Sequence, residues 1–149
     1  MLNAIGSLNN RLAFDARVLV VDDEPTMRIL NTACLKMCAK ENGDNDFHVD
    51  EEATFDEAIG KLNSGAKYDL LITDGSFPTT YGSEPMSDNG IKLVKAAKEK
   101  QSPIPTIMIS GERNEDFINK VKAEGSYFIK KPYEVAKFLQ VAAEKLYSK

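Results

Sequence analysis

The chain has 149 residues, of which 42% are hydrophobic and 28% are charged, and its formal net charge is −4 with a pI near 5.1. These values predict one globular domain with a sizeable core, and the acidic balance argues against binding to nucleic acid or to a membrane surface. No apolar run approaches the roughly 20 residues of a membrane span, and the N-terminus lacks the basic and apolar regions of a signal peptide.

Cysteine and histidine are scarce in this sequence. Cys34 and Cys38 lie four residues apart in a helical pattern, and His48 is the only histidine. We expect the two cysteines to be buried thiols on one helix face rather than a disulfide, which fits a reducing cytoplasm. A single histidine argues against a zinc site and against a histidine-based catalytic triad.

The first 16 residues have weak periodicity and are predicted to be an N-terminal extension, residues 1–16. They form either a short helix or a disordered leader. One face of such a helix would carry Leu2, Ile5, Leu8 and Leu12. The folded domain is predicted to span residues 17–149.

The folded domain opens with a strand and a helix. Residues 17–21 form a β-branched apolar run, which predicts a buried strand. The run stops at Asp22 and Asp23, and a helix is predicted to start near Pro25. The broad apolar face predicted for this helix comprises Met27, Ile29, Leu30, Ala33, Cys34, Met37 and Cys38.

The rest of the chain alternates between strands and helices. The sequence predicts an edge strand at 47–52 and buried strands at 68–73, 105–110 and 127–130. Helices are predicted at 55–63, 91–100, 114–123 and 134–147. Thr54 and Glu57 form a capping box at the first of these helices, and Asp88 or Asn89 caps the second. Residues 75–89 are predicted to be a long loop.

Five strand–helix units in a row predict an α/β fold. Strands that alternate with helices form a parallel sheet covered on both faces, and right-handed crossovers leave few topologies. We therefore expect a flavodoxin-like three-layer sandwich, in which a five-stranded parallel sheet has the order 2-1-3-4-5 and carries five helices.

Three carboxylates are predicted to meet at one edge of this sheet. Asp22 and Asp23 follow the first strand and Asp74 follows the third, and these strands are neighbours in the predicted order. At roughly 5 Å and an effective dielectric near 20, each like-charge pair costs about 3 kcal/mol, so three pairs cost on the order of 10 kcal/mol. Proteins relieve such clusters by raising carboxylate pKa values or by binding a divalent cation. A site of carboxylates and water suits Mg²⁺ best, with Mn²⁺ or Ca²⁺ as alternatives.

Two further strand ends supply a hydroxyl group and a cation. Ser110 ends the fourth strand, and Lys131 follows the fifth, about 10 Å from Asp74 across the sheet. A metal and an ammonium group that neutralise phosphoryl oxygens, with a hydroxyl that hydrogen-bonds to one of them, make a phosphoryl-transfer site. Asp74 is the predicted nucleophile of this site.

Four segments resemble the receiver domain of two-component response regulators, and in particular the single-domain chemotaxis regulators. They read V-L-V-V-D-D-E-P at 18–25, Y-D-L-L-I-T-D at 68–74, I-M-I-S-G at 107–111 and K-K-P-Y at 130–133. The resemblance runs from about Arg17 to the C-terminus and implies that residues 17–149 are a receiver domain. We expect a single-domain regulator if the chain is full-length, and a missing output domain if it was cut from a larger protein.

The resemblance implies a phosphorylation-dependent signalling switch rather than a conventional enzyme. Asp74 would accept a phosphoryl group from a histidine kinase or a histidine phosphotransfer protein, with Ser110 and Lys131 contacting that group. The implied Mg²⁺ ligands are Asp22, Asp23, Asp74 and the backbone carbonyl of Ser76. The protein would act in the cytoplasm, without binding nucleic acid or membrane.

The resemblance also implies how the state of the site is read out. The Ser110 hydroxyl would move toward the phosphoryl group together with an aromatic ring on the fifth strand. Spacing to Lys131 favours Phe128 as this ring, with Tyr127 as the alternative, and the Lys131–Pro132 bond is expected to be cis. A surface made by the fourth helix, the fifth strand and the fifth helix would then bind a downstream protein.

The sequence departs from the family pattern near the acceptor. Family members usually carry a glycine about eight residues after the acceptor Asp, whereas here Gly90 lies 16 residues after Asp74, so the loop has roughly eight extra residues. We expect a tolerated insertion, a lid or a partner contact. Gly75 replaces a bulkier residue, and Glu112 and Ser76 occupy positions that tune phosphoryl lifetime in the family, so this lifetime stays open.

Two other functions stay open at this stage. The enlarged loop is compatible with a receiver-like interaction module that no longer uses phosphate. A Mg²⁺-dependent aspartyl-phosphate phosphatase is a further alternative, but such enzymes typically show D-x-D after the first strand, whereas this chain has D-D-E at 22–24.

Overall fold

The structure of the protein is a computed structural model that describes residues 15–101 and 103–148. The helix or leader predicted over residues 1–16 therefore lies outside the described residues, except for its last two positions. The division of the chain into an extension and a domain at residue 17 stays a prediction. Within the described part of the chain, no helix is both long and apolar enough to cross a bilayer.

Seven strands and five helices follow one another along the part of the chain that the structure describes. The strands are β1 (Arg17–Val21), β2 (His48–Glu52), β3 (Leu70–Asp74), β4 (Phe77–Pro78), β5 (Pro85–Met86), β6 (Thr106–Ser110) and β7 (Tyr127–Lys130). The helices are α1 (Pro25–Glu41), α2 (Phe55–Leu62), α3 (Asn89–Lys100), α4 (Glu115–Ala123) and α5 (Val135–Tyr147). All five predicted strands and all five predicted helices are present, with bounds that agree to within two residues.

The main sheet has five parallel strands in the order β2-β1-β3-β6-β7. Counting only these strands, the order is the predicted 2-1-3-4-5, so the flavodoxin-like prediction is confirmed. Val21 pairs with Thr73 and Asp74 pairs with Ile109, so the ends of β1, β3 and β6 lie side by side. This alignment places the residues that follow these strands at one edge of the sheet.

Helices cover both faces of the sheet because the three central strands are apolar on both sides. One face packs against α1 and α5, in a cluster that includes Val20, Ile72 and Phe138. The other face packs against α2, α3 and α4, in clusters that include Leu71 and Met108. The edge strand β2 carries charged side chains and has no fully buried residue.

The buried face of helix α1 matches the predicted one only at Cys34 and Cys38. The buried residues are Asn31, Cys34, Leu35, Cys38 and Ala39, with both cysteines as free thiols. Four residues of the predicted apolar face are exposed instead: Ile29, Leu30, Ala33 and Met37. Apolar residues lie all around this helix, so contacts with α5 decide which face is buried. The Tyr133 hydroxyl donates to Asn31 Oδ1 at 2.7 Å, which satisfies the polar residue inside this face.

The predicted 75–89 loop contains an anchored hairpin, β4 with β5. Phe77 is fully buried, and the Asn89 amide donates to the Phe77 carbonyl at 2.8 Å and to Thr79 Oγ1 at 3.1 Å. The Asp56 backbone N–H, in the first turn of α2, donates to the Thr79 carbonyl at 3.0 Å. The Asn89 side chain thus anchors the hairpin by hydrogen bonds. Asp88 is the N-cap residue of α3, but its side chain makes no capping hydrogen bond.

Candidate functional site

The three predicted carboxylates come together at the end of the sheet. Asp22 follows β1, Asp74 ends β3, and one carboxylate oxygen each from Asp22, Asp23 and Asp74 lies within 4.8 Å of the others. Asp22 is only 1% exposed, whereas Asp23 and Asp74 are partly exposed. The cluster thus has a buried floor and an open side, which leaves access for an ion or a reactant.

The Lys131 ammonium group is the cation of this cluster. Its Nζ lies 3.3 Å from Asp22 Oδ2, 3.4 Å from Asp74 Oδ2 and 3.7 Å from Glu24 Oε1. The Lys131 backbone N–H donates to the Ser110 carbonyl at 2.9 Å, and the Lys131–Pro132 peptide bond is cis, as expected. The Lys131 side chain therefore reaches from the end of β7 to Asp74 at the end of β3.

The carboxylates and the lysine shift each other's pKa values. Burial, followed by the charge of Asp22, raises the pKa of Asp74 to about 6, although Lys131 and the Gly75 N–H pull it down. Burial also raises the pKa of Asp22. Burial lowers the pKa of Lys131, but the charges of Asp74 and Asp22 outweigh it and raise that pKa overall. One lysine therefore leaves the cluster with unbalanced negative charge, which favours a further cation.

The part of the site between Asp74 and Lys131 is bordered by β6, which lies between β3 and β7, and by the loop after β3. Ser110 is buried, and its Oγ accepts the Glu112 N–H at 3.0 Å. The Gly75 N–H donates to Asp74 Oδ1 at 2.6 Å, which fixes the orientation of the acceptor carboxylate. Ser76 follows in the same loop with an exposed side chain.

The two aromatic candidates on β7 point to opposite faces of the sheet. Phe128 pairs with Met108 in the sheet register and packs in the same cluster as that residue. Tyr127 packs in the α1–α5 core, and the Lys137 ammonium group lies 5.6 Å from its ring centre. Because Ser110 is two residues after Met108, Phe128 lies on the same face as Ser110 and Tyr127 does not.

The start of α3 lies close against the acceptor loop at Gly90. The Gly90 N–H donates to the Gly75 carbonyl at 3.0 Å. A Cβ at this position would stand 2.5 Å from the Asp74 carbonyl oxygen and 2.8 Å from Gly75 Cα. Only glycine fits such an approach of two backbones, so this residue keeps its place against the acceptor in spite of the longer loop.

Two side chains near the site were not predicted from the sequence. Glu24 contacts Lys131, and its place directly after the Asp pair was a usable signal. Phe117 of α4 lies beside Gly75 and Ser110. No local pattern marks Phe117, because helix packing brings it to the loop from about 40 residues further along the chain.

The donor set of the cluster fits a hard divalent cation. Three carboxylates supply oxygen ligands only, and no described Cys or His side chain belongs to the group. Oxygen-only sites with room for water are typical of Mg²⁺ and Mn²⁺. The Lys131 contacts show that the same oxygens already attract a cation.

Comparisons with known proteins agree with the fold. The model of the response regulator receiver domain matches residues 18–143, while a search of curated sequences found no match. A CheY-like receiver domain protein from Methanospirillum hungatei JF-1 has a TM-score of 0.71 at 22% identity, over 89% of this chain and 94% of that one. The chemotaxis response regulator CheY4 of Vibrio cholerae has a TM-score of 0.69 at 25% identity, over 89% and 100%. The beryllofluoride-activated NtrC4 receiver domain has a TM-score of 0.68 at 27% identity, over 87% and 95%. From its sequence match and its fold, this chain belongs to the response regulator receiver domain family.

Proposed function

We propose that the protein is a phosphorylation-dependent signalling switch in which Asp74 is the phosphoacceptor. The observation that carries the proposal is the position of its carboxylate. One Asp74 oxygen accepts the Gly75 N–H and the other contacts Lys131, at the open side of an acidic cluster. A carboxylate that is oriented by one donor and neighboured by a cation is prepared for nucleophilic attack on phosphorus.

The proposed step is an in-line transfer from a phosphohistidine of a partner protein. An Asp74 carboxylate oxygen forms a bond to phosphorus while the P–N bond breaks, and its electron pair returns to the imidazole nitrogen, which takes up a proton from solvent. Lys131 neutralises charge on the phosphoryl oxygens, and the Ser110 hydroxyl donates a hydrogen bond to one of them. The product is an acyl phosphate on Asp74.

We propose Mg²⁺ as the cofactor, with Mn²⁺ as an alternative. Its ligands would be the carboxylates of Asp22, Asp23 and Asp74 and the backbone carbonyl of Ser76. A bound Mg²⁺ supplies charge neutralisation for the transferred phosphoryl oxygens. The make-up of the cluster supports this proposal, because three carboxylates lie together there and Lys131 is a single cation beside them.

We propose that the phosphodonor is a histidine kinase or a histidine phosphotransfer protein that docks on α1. This helix starts three residues after Asp22 and presents exposed Ile29, Leu30 and Met37 to solvent. An apolar surface of this kind beside a site that must receive a phosphohistidine suits a protein donor.

Phosphorylation would then change binding of a downstream protein at the surface made by α4, β7 and α5. Phe128 lies on the sheet face that Ser110 shares, which supports it as the ring that follows the hydroxyl. In this proposal the chain catalyses only its own phosphorylation and dephosphorylation, acts in the cytoplasm, and binds neither nucleic acid nor membrane.

The test is the intact mass of the protein after incubation with acetyl phosphate and Mg²⁺. We expect the wild type and an Asp46→Asn control, changed at an exposed loop position, to gain one phosphoryl group. We expect Asp74→Asn, and the wild type in chelator, to gain none. An unmodified wild type that also fails to bind beryllofluoride would overturn the proposal and favour an interaction module that does not use phosphate.

A further inference from the structure

The ring of Phe117 borders the space beside the acceptor loop where a side chain at residue 75 would stand. A methyl group on Gly75 would lie 3.1 Å from Phe117 Cζ, 3.0 Å from Ser110 Oγ and 3.3 Å from Ser110 Cβ. These distances are tighter than ordinary van der Waals contact. The tip of the Phe117 ring, the Ser110 side chain and the Gly75 backbone therefore meet at one point next to Asp74.

The other end of this contact is helix α4, which is weakly attached to the rest of the fold. Val121 is the one fully buried residue of its nine, all of which are described. Phe117 is partly buried in a cluster with Val94, Met108 and Phe128. The Phe117 backbone N–H donates to Asn114 Oδ1 at 3.1 Å, so Phe117 belongs to the first turn of the helix. A helix with so few buried contacts is a segment of low local stability.

A phosphoryl group on Asp74 would change the wall on which this ring rests. It brings acceptor oxygens next to the Ser110 hydroxyl, whose oxygen now accepts only a backbone N–H. A hydroxyl that turns toward a new acceptor moves within the tight space beside Gly75 that the Phe117 ring also borders. Close-packed groups respond by repacking rather than by leaving a void.

Resting on the proposed function, we infer that Phe117 is a positioning residue that transmits the state of the Asp74 site to helix α4. Gly75 is the matching requirement, because a Cβ at this position would press against both the Phe117 ring and the Ser110 side chain. The contact makes α4, rather than β7 alone, directly sensitive to the acceptor loop. The contact also gives a physical role to Gly75, the small residue that follows Asp74.

The experiment is amide hydrogen exchange of residues 115–123 with and without saturating beryllofluoride and Mg²⁺, with occupancy verified by fluorine NMR. In the wild type we expect the ligand to change the exchange rates of α4 by about fivefold or more, the lower end of a typical coupling. In Phe117→Ala and in Gly75→Ala we expect a change below about twofold. Phe117→Leu keeps most of the apolar volume and serves if the alanine variant does not fold.

Val121→Ala is the control for simple destabilisation of the helix. It removes buried apolar surface further along α4, so it should speed exchange in both states and leave the ratio between them unchanged. A preserved ratio in Phe117→Ala, or a wild type that binds beryllofluoride without a change in α4, would overturn this inference and leave Asp74 as acceptor. A wild type that binds no beryllofluoride would overturn the proposed function as well.

Discussion

The charge on Asp74 should destabilise the metal-free protein, and Asp74→Asn should therefore stabilise it. Burial and the charge of Asp22 raise the pKa of Asp74 from 3.8 to about 6. Each unit of pKa corresponds to about 1.4 kcal/mol, so the ionised carboxylate costs on the order of 3 kcal/mol at pH 7. The Asp74 side chain is only 12% exposed, so solvent screens little of this effect.

The sign of the pH dependence follows from proton binding. Between pH 4 and pH 6 the folded state holds the Asp74 proton more tightly than the unfolded state does. The contribution of this group to stability therefore falls as pH rises through this window and reaches its full cost above the folded pKa. Asparagine, which has nearly the same shape, removes the cost above pH 6 and changes little near pH 4.

The assay is urea unfolding of the wild type, Asp74→Asn and Asp46→Asn in chelator at pH 4.5 and pH 7.5. We expect Asp74→Asn to be more stable by about 3 kcal/mol at the higher pH and by only about 1 kcal/mol at the lower pH. The exposed control should stay within about 0.5 kcal/mol of the wild type. Mg²⁺ at about 100 times its dissociation constant should then raise the free energy of unfolding of the wild type by about 2.7 kcal/mol. An Asp74→Asn variant less stable than the wild type at pH 7.5 in chelator would refute the reasoning.

Three further substitutions test how the site is supported, each by thermal or urea unfolding. Gly90→Ala should cost about 1–3 kcal/mol, because its Cβ would meet backbone atoms of the acceptor loop; Gly60→Ala, with open space in the interior of α2, should instead stabilise by about 0.5–1 kcal/mol. Equal effects would refute the close approach. Thr54→Ala should cost about 1–2 kcal/mol, because Thr54 is buried and its hydroxyl accepts an N–H of the first turn of α2; no loss would contradict the cap. Tyr68→Phe should cost on the order of 1–2 kcal/mol, because the Tyr68 hydroxyl donates to Asp50 Oδ2 at 2.5 Å; an unchanged midpoint would count against this bond.

The layout of the site was predictable because it depends on strand ends. Short apolar runs before Asp22, Asp74 and Ser110 predicted parallel strands. The residues that follow parallel strands lie at the same edge of the sheet. The reach of Lys131 was also predictable in outline, since a lysine stem can cross one or two strand spacings. The contact itself, at 3.4 Å between Lys131 Nζ and Asp74 Oδ2, depends on the side-chain conformation, which no sequence pattern predicts.

The burial of α1 and the hairpin were not predictable in the same way. Ile29 and Met37 are as apolar as the residues that are buried, so the pattern on α1 alone could not select a face. Two prolines in the hairpin strands read as loop signals. This segment is anchored by the buried Phe77 ring and by the Asn89 amide, whose partners are 10 and 12 residues away. Long-range contacts of this type leave no local periodicity.

The most direct test of the central claim is to locate the phosphorylated residue itself. Borohydride reduces an acyl phosphate to an alcohol, so a phosphorylated aspartate becomes homoserine, which peptide mass mapping identifies by position. After treatment with acetyl phosphate and Mg²⁺ we expect homoserine at residue 74 alone, and none in the presence of chelator. Homoserine at another carboxylate, or none in a protein that has gained a phosphoryl group, would contradict the assignment of Asp74 as the phosphoacceptor.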